Sequence, residues 1–226
     1  MQVRKTLLAA ALLAAAVNAA AADSTDVKVT GHIVPAACTP DVSGGATVDY
    51  GTIKPALLEQ HAGDFTLLDE KTLAFSLRCD AAVKVGVRSV DARAGSAVIP
   101  VGKVILGVLV ADNTPMFGLG LADGKKIGSY GAVLRDLKTE EGAAVGYLHS
   151  SDGGKTWVNR PKIDLAQVTQ PDRLASVSAP GVKSPLPVKV LSGTLAVQAV
   201  LNKASELNLT QVIHLDGQAS LQVVYL

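Results

Sequence analysis

Apolar and polar residues alternate along four stretches of the chain, as expected for strands that are buried on one face only. The four stretches are 72–79, 82–90, 194–201 and 217–226. Because successive side chains of a strand point to opposite faces of a sheet, each stretch presents one apolar face and one more polar face. The alternation therefore predicts antiparallel sheets that enclose a core on one side.

Clusters of turn-forming residues separate these stretches. The clearest clusters, rich in Gly, Asp and Ser, are 43–45, 94–96, 112–115, 123–126 and 152–155. After residue 22 there is no amphipathic helical period and no repeat of fixed length, which argues against helical and propeller folds. Many short strands joined by such turns predict an all-β sandwich or barrel.

The first 22 residues have the pattern of a secretory signal peptide. Arg4 and Lys5 precede an apolar run at 7–17, and small residues occupy 19–22. This apolar run is too short to span a membrane. We therefore predict an exported protein in which residues 23–226 form a single domain.

The charge balance argues against one class of partner. The full chain has 21 Lys and Arg, so removing Arg4 and Lys5 leaves 19, against 20 Asp and Glu. A nearly neutral chain without a basic run has little electrostatic attraction to a phosphate backbone. We expect no nucleic-acid partner.

Two cysteines, Cys38 and Cys79, follow the predicted signal peptide. An even pair in an oxidising compartment favours a disulfide. The alternatives have less support, because the four histidines show no metal-ligand spacing with these cysteines and no base is placed to activate a cysteine nucleophile.

The segment 150–157 matches the Asp box of sialidase-like β-propellers. The matching residues are Ser150, Asp152, Gly154, Thr156 and Trp157. In those propellers the box occurs in several blades, away from the active site, whereas this chain has it once and lacks the accompanying arginine triad and Tyr–Glu pair. We interpret the segment as a structural hairpin, in which glycines supply positive φ angles and Trp157 packs beneath the turn.

Two other segments fall short of a catalytic site. The segment 118–128 resembles a phosphate-binding loop, but its glycine spacing is one residue short and Lys126 replaces the Ser or Thr that would bind magnesium. His149 lies in the same turn as Ser150 and Asp152, whereas a catalytic triad brings residues together from separate elements. We expect no enzymatic activity, no cofactor and no metal site.

Four segments, in the right order, resemble chaperone–usher fimbrial subunits. They are a first strand at 31–40 that contains Cys38, the stretch 47–60 around Tyr50, Gly51 and Ile53, the strand 72–79 that ends in Cys79, and a last strand with Tyr225 as its penultimate residue. The middle region is more similar to a group of fimbrial-like exported proteobacterial proteins formerly described as a domain of unknown function. The resemblance implies an immunoglobulin-like, pilin-like antiparallel β-sandwich that lacks one strand, with a long insertion at about 100–185 and a Cys38–Cys79 disulfide.

In such subunits the missing strand leaves an apolar groove that another polypeptide fills. The resemblance implies that a periplasmic chaperone lends a strand, and that other fimbrial subunits replace it at an outer-membrane usher. The terminal carboxylate of Leu226 would be the handle for the chaperone. The residues assigned in this way are Ala219, Leu221, Val223, Tyr225 and Leu226 for the groove, and Val27 and Val29 for a short donor segment ahead of Gly31.

The leading hypothesis is a non-enzymatic fimbrial subunit that passes through the periplasm to the cell surface and functions in adhesion. The sequence leaves a second hypothesis open, in which a self-complete exported β-sandwich binds a glycan or a host-surface receptor as a monomer. The two differ in whether the sandwich needs a strand from another chain.

Overall fold

The structure, a computed structural model, describes residues 25–31, 37–61 and 63–226. The predicted signal peptide lies outside these residues. The chain divides into two units, Met1–Val34 and Pro35–Leu226. In the first unit the described residues are exposed, and Val27 and Val29 have exposed fractions of 85% and 92%.

All of the regular strands in the described residues belong to the second unit, and every pairing is antiparallel. In chain order the strands are β1 (Cys38–Val42), β2 (Thr66–Leu67), β3 (Lys71–Val83), β4 (Val85–Asp91), β5 (Val104–Ile105), β6 (Val108–Leu109), β7 (Phe117–Gly118), β8 (Leu121–Ala122), β9 (Lys125–Lys126), β10 (Gly128–Thr139), β11 (Gly146–Ser150), β12 (Val158–Arg160), β13 (Ile163–Asp164), β14 (Leu174–Ser178), β15 (Val188–Leu201) and β16 (Ala219–Tyr225). One short α-helix, α1 (Pro55–Glu59), lies between β1 and β2.

The long strands form two sheets. Sheet 1 has the order β1-β3-β15-β10-β13, with β2 beside β15 and β7 beside β10. Sheet 2 has the order β12-β11-β14-β4-β16, and two small ribbons pair β5 with β6 and β8 with β9. The all-β antiparallel sandwich and the Cys38–Cys79 disulfide predicted from the sequence are confirmed.

The main core lies between the two sheets. Phe75 and Leu134 of sheet 1 belong to the same buried cluster as Val87 and Val177 of sheet 2. Burying a side chain of this size stabilises a fold by about 1.5–3 kcal/mol. A second cluster, which includes Ile105, covers the opposite face of sheet 1.

The four predicted strands are confirmed as β3, β4, β15 and β16. Residues 100–185, the expected insertion, contribute strands to both sheets, including the long strand β10. The helix α1 has only five residues, too few for an amphipathic period; Pro55 suits its first turn, and Leu58 is buried with an exposed fraction of 4%.

Among the described residues, no helix has both the length and the apolar character needed to cross a membrane.

Candidate functional site

Within residues 37–61 and 63–226, β1 and β16 are neighbouring edge strands of the two sheets, and β13 and β12 form the opposite edges. β1 ends sheet 1 and pairs with β3, whereas β16 ends sheet 2 and pairs with β4. The two edges meet at one end, where the Cys38 N–H donates a hydrogen bond of 2.8 Å to Tyr225 Oη. The disulfide from Cys38 to Cys79 holds this closed end of β1 against β3.

Next to the closed end, an open groove of about 990 Å³ lies between the two edges, with Val42 of β1 and Leu221 of β16 in its lining. Its floor is the inner face of sheet 1, where side chains of β10 and β15 stand opposite each other. The floor pairs are Leu134 with Leu195, Ala132 with Val197, and Tyr130 with Ala199. The groove is open to solvent, although the floor residues Leu134 and Ala132 have exposed fractions of only 1% and 5%.

The first wall of the groove is the segment 47–53, which has no strand partner in the described chain. Tyr50 fixes this wall to the floor: its hydroxyl accepts a 3.0 Å hydrogen bond from the Ala199 N–H and donates a 3.4 Å bond to the Val197 carbonyl. Burial raises the pKa of the Tyr50 hydroxyl, so it remains a neutral donor. The wall is therefore held in place without a strand ladder.

The second wall is the segment 207–221, which leads into β16. Asp216 anchors it through two 2.8 Å bonds from the Arg93 guanidinium, and its backbone N–H donates a 3.0 Å bond to the Leu119 carbonyl. The Arg93 guanidinium lowers the pKa of the Asp216 carboxyl. This anchor fixes the chain just before β16 begins.

The lining is mostly apolar. Phe117 and Tyr130 stack on one another with ring centroids 5.0 Å apart, and burial raises the pKa of the Tyr130 hydroxyl. Within the lining, Asp49 is the only carboxylate and His214 the only imidazole, and both residues are exposed. Such a lining favours an apolar occupant over a charged or strongly polar one.

The structure brings two of the five predicted groove residues into the lining, Ala219 and Leu221. Val223 is half-buried against the main core, and Tyr225 lies at the closed end. The side chain of Leu226 lies beside Gly86 and Gly154. Sequence reasoning missed the floor strand β10 and the second wall. The second wall does carry a signal, because apolar residues recur at alternate positions along it: Leu207, Leu209, Ile213 and Leu215.

The Asp-box residues form the turn between β11 and β12, and none of them lines the groove. Asp152 accepts hydrogen bonds from the Thr156 hydroxyl at 2.5 Å, the Thr156 N–H at 2.9 Å and the Ser150 hydroxyl at 2.7 Å. These bonds, led by that of the Thr156 hydroxyl, hold the pKa of Asp152 well below its usual range. Trp157 is half-buried beside Gly154.

No group of three or more His, Cys, Asp or Glu residues in the part of the chain described by the structure is arranged to hold a metal ion.

Comparison with known proteins finds a matching family model and similar proteins from Escherichia coli. A family model described as "Protein of unknown function (DUF1120)" matches residues 27–131. The chain is 30% identical over 244 residues to "Protein GltF" of Escherichia coli K12, with 97% of this chain and 96% of that protein covered. The chain belongs to the DUF1120 family. It is also 29% identical to "Uncharacterized protein YhcF" of the same strain, over 97% of this chain and 98% of that protein.

The DUF1120 match includes the first wall of the groove and the strands β3 and β4. β15 and β16 lie beyond its last residue, but the two E. coli relatives match over nearly the whole chain. No solved structure matches the chain.

Proposed function

We propose that this DUF1120 protein is a fimbrial-type subunit whose groove is completed by a β-strand from another polypeptide. A periplasmic chaperone would supply the strand first, and a neighbouring subunit would replace it at an outer-membrane usher during assembly of an adhesive fibre. The observation that carries the proposal is the open apolar groove between the unpartnered edges of β1 and β16. The predicted signal peptide and the disulfide fit an exported, oxidising location.

The dimensions of the floor support an extended peptide as the occupant. The groove follows β15 from Leu195 to Leu201, which is about 20 Å at the rise of a β-strand. An added strand of about seven residues would cover this length. Every second side chain of the added strand would point toward the floor, with the same two-residue spacing as the floor pairs of β10 and β15.

The floor also favours a particular size of side chain. Ala132 has the smallest side chain on the β10 side of the floor, and it stands opposite Val197. Leu134 and Tyr130 are bulkier on either side of Ala132 along the same face. A donor strand would therefore place its largest apolar side chain over Ala132.

The free edges would supply the main-chain hydrogen bonds. β16 has seven residues, whereas β1 has five, one of them Pro40, which has no N–H to donate. We therefore propose β16 as the main pairing edge for the added strand. Exposed apolar edges promote aggregation, so covering this one would also keep the subunit soluble.

Peptide binding tests the proposal directly. A peptide of about ten residues with apolar side chains at alternate positions should bind the oxidised protein and raise its thermal stability. At a free concentration of 100 times Kd, the expected gain is about 2.7 kcal/mol. The matched control is a peptide of the same composition with its apolar residues placed consecutively, which cannot present them all on one face of a strand in any register.

Equal binding of the two peptides would contradict strand addition. A soluble monomer that neither peptide stabilises would also contradict it, and would favour the self-complete sandwich that binds a glycan or a host receptor.

A further inference from the structure

Leu226 has an exposed fraction of 44%, and the Cδ2 methyl group of its side chain lies in a shallow socket between β4 and the Asp-box turn. A β-carbon built at Gly86 would lie 3.5 Å from Leu226 Cδ2, and one built at Gly154 would lie at the same distance from that atom. Leu174 flanks both glycines, at 3.7 Å from the first position and 3.6 Å from the second. The Leu226 methyl group thus lies over two residues that have no side chain.

Hydrogen bonds keep the turn side of this socket in one conformation. Besides the bonds to Asp152, the buried Ser150 hydroxyl accepts a 2.9 Å bond from the Gly154 N–H. Gly154 has a φ of +88°, and a β-carbon there would lie 3.4 Å from Trp157 Cζ2. The backbone angle favours glycine at this position, and a β-carbon there would make ordinary van der Waals contacts.

β16 needs support at this end because it pairs along one edge only in the described chain. The amide hydrogens of an edge strand exchange readily unless other contacts hold the strand in place. The Leu226 N–H donates a 3.1 Å bond to the Lys84 carbonyl, which extends the ladder by one residue. With the Cys38–Tyr225 bond, the socket provides a further contact at the same end.

We propose that the Asp-box turn is a positioning element for β16. Asp152 holds the turn, the turn and Gly86 hold the Leu226 side chain, and Leu226 fixes the end of the strand that borders the groove. The idea that this contact presents β16 to a donor strand rests on the proposed function. The contact itself does not depend on a donor.

Amide hydrogen exchange of the oxidised full-length mature protein, without peptide, tests the positioning role. We expect Leu226→Ala and Asp152→Ala each to raise the exchange rate of amides in 219–226 about tenfold, because each removes one side of the same contact. The double variant should exchange no faster than the faster single variant. Asp112→Asn, in an exposed turn, is the control and should leave these amides unchanged.

The proposal would be overturned if the amides of 219–226 in the Leu226→Ala protein exchanged at the wild-type rate. It would also be overturned if the effects of the two substitutions on the exchange rate multiplied in the double variant. If the Asp152→Ala protein does not fold, the Leu226→Ala protein still tests the proposal, because that substitution alters only the end of β16. Because no donor is present, a negative result leaves strand addition standing, and a failure of peptide binding leaves the positioning role standing.

Discussion

Replacing Ala132 with phenylalanine is expected to weaken binding of the alternating peptide by about 100-fold. The new ring would occupy the part of the floor that we assign to the largest donor side chain. Forcing extra volume into a packed contact costs up to about 3 kcal/mol, which corresponds to a loss of that size. Peptide titration by fluorescence anisotropy measures the effect.

The control for this variant is Ala74→Phe. Ala74 is exposed on β3 of the same sheet and is absent from the groove lining, so the same change in side chain should leave peptide binding intact. Ala132 is buried, with an exposed fraction of 5%, so circular dichroism must show that the Ala132→Phe protein is folded before its peptide binding is compared. Unchanged affinity in Ala132→Phe would mean that the peptide binds elsewhere.

Loss of the Cys38–Cys79 disulfide is expected to lower the free energy of unfolding by about 4 kcal/mol. The two cysteines are 41 residues apart in the chain, and a cross-link over such a loop restricts the unfolded state by that amount in the chain-entropy model. The bond also joins directly opposed residues of β1 and β3 at the closed end of the groove. We therefore expect weaker peptide binding as well.

Urea unfolding of the Cys38→Ser, Cys79→Ser double variant measures this loss, with wild-type protein under oxidising and reducing conditions for comparison. Reduced wild type should match the double variant. An unfolding midpoint that is insensitive to both the reductant and the substitutions would contradict a stabilising role for the disulfide.

The four strands and the disulfide could be predicted because their signals are local. Half-buried strands such as β3 alternate strictly, as Leu73, Phe75 and Leu77 illustrate, and a pair of cysteines behind a predicted signal peptide favours a disulfide. These observations determine the fold class. They do not show how far the sheets close around the core.

The groove could be predicted only in part because its floor depends on long-range pairing. β10 begins with Gly128, Ser129, Tyr130 and Gly131, residues with mixed strand preference, and its pairing with β15 stabilises it as a strand. The second wall has few ladder hydrogen bonds, and its position depends on the remote Arg93–Asp216 pair. Likewise, Leu226 follows an alternating strand, but nothing local to it indicates a contact with Gly154.

An experimental structure of the protein purified from the periplasm together with its partner tests the central claim most directly. We predict an extended segment of a second polypeptide in the groove, hydrogen-bonded to the free edge of β16, with a large apolar side chain over Ala132. A groove filled by residues of the same chain, or a partner bound away from β16, would contradict strand addition.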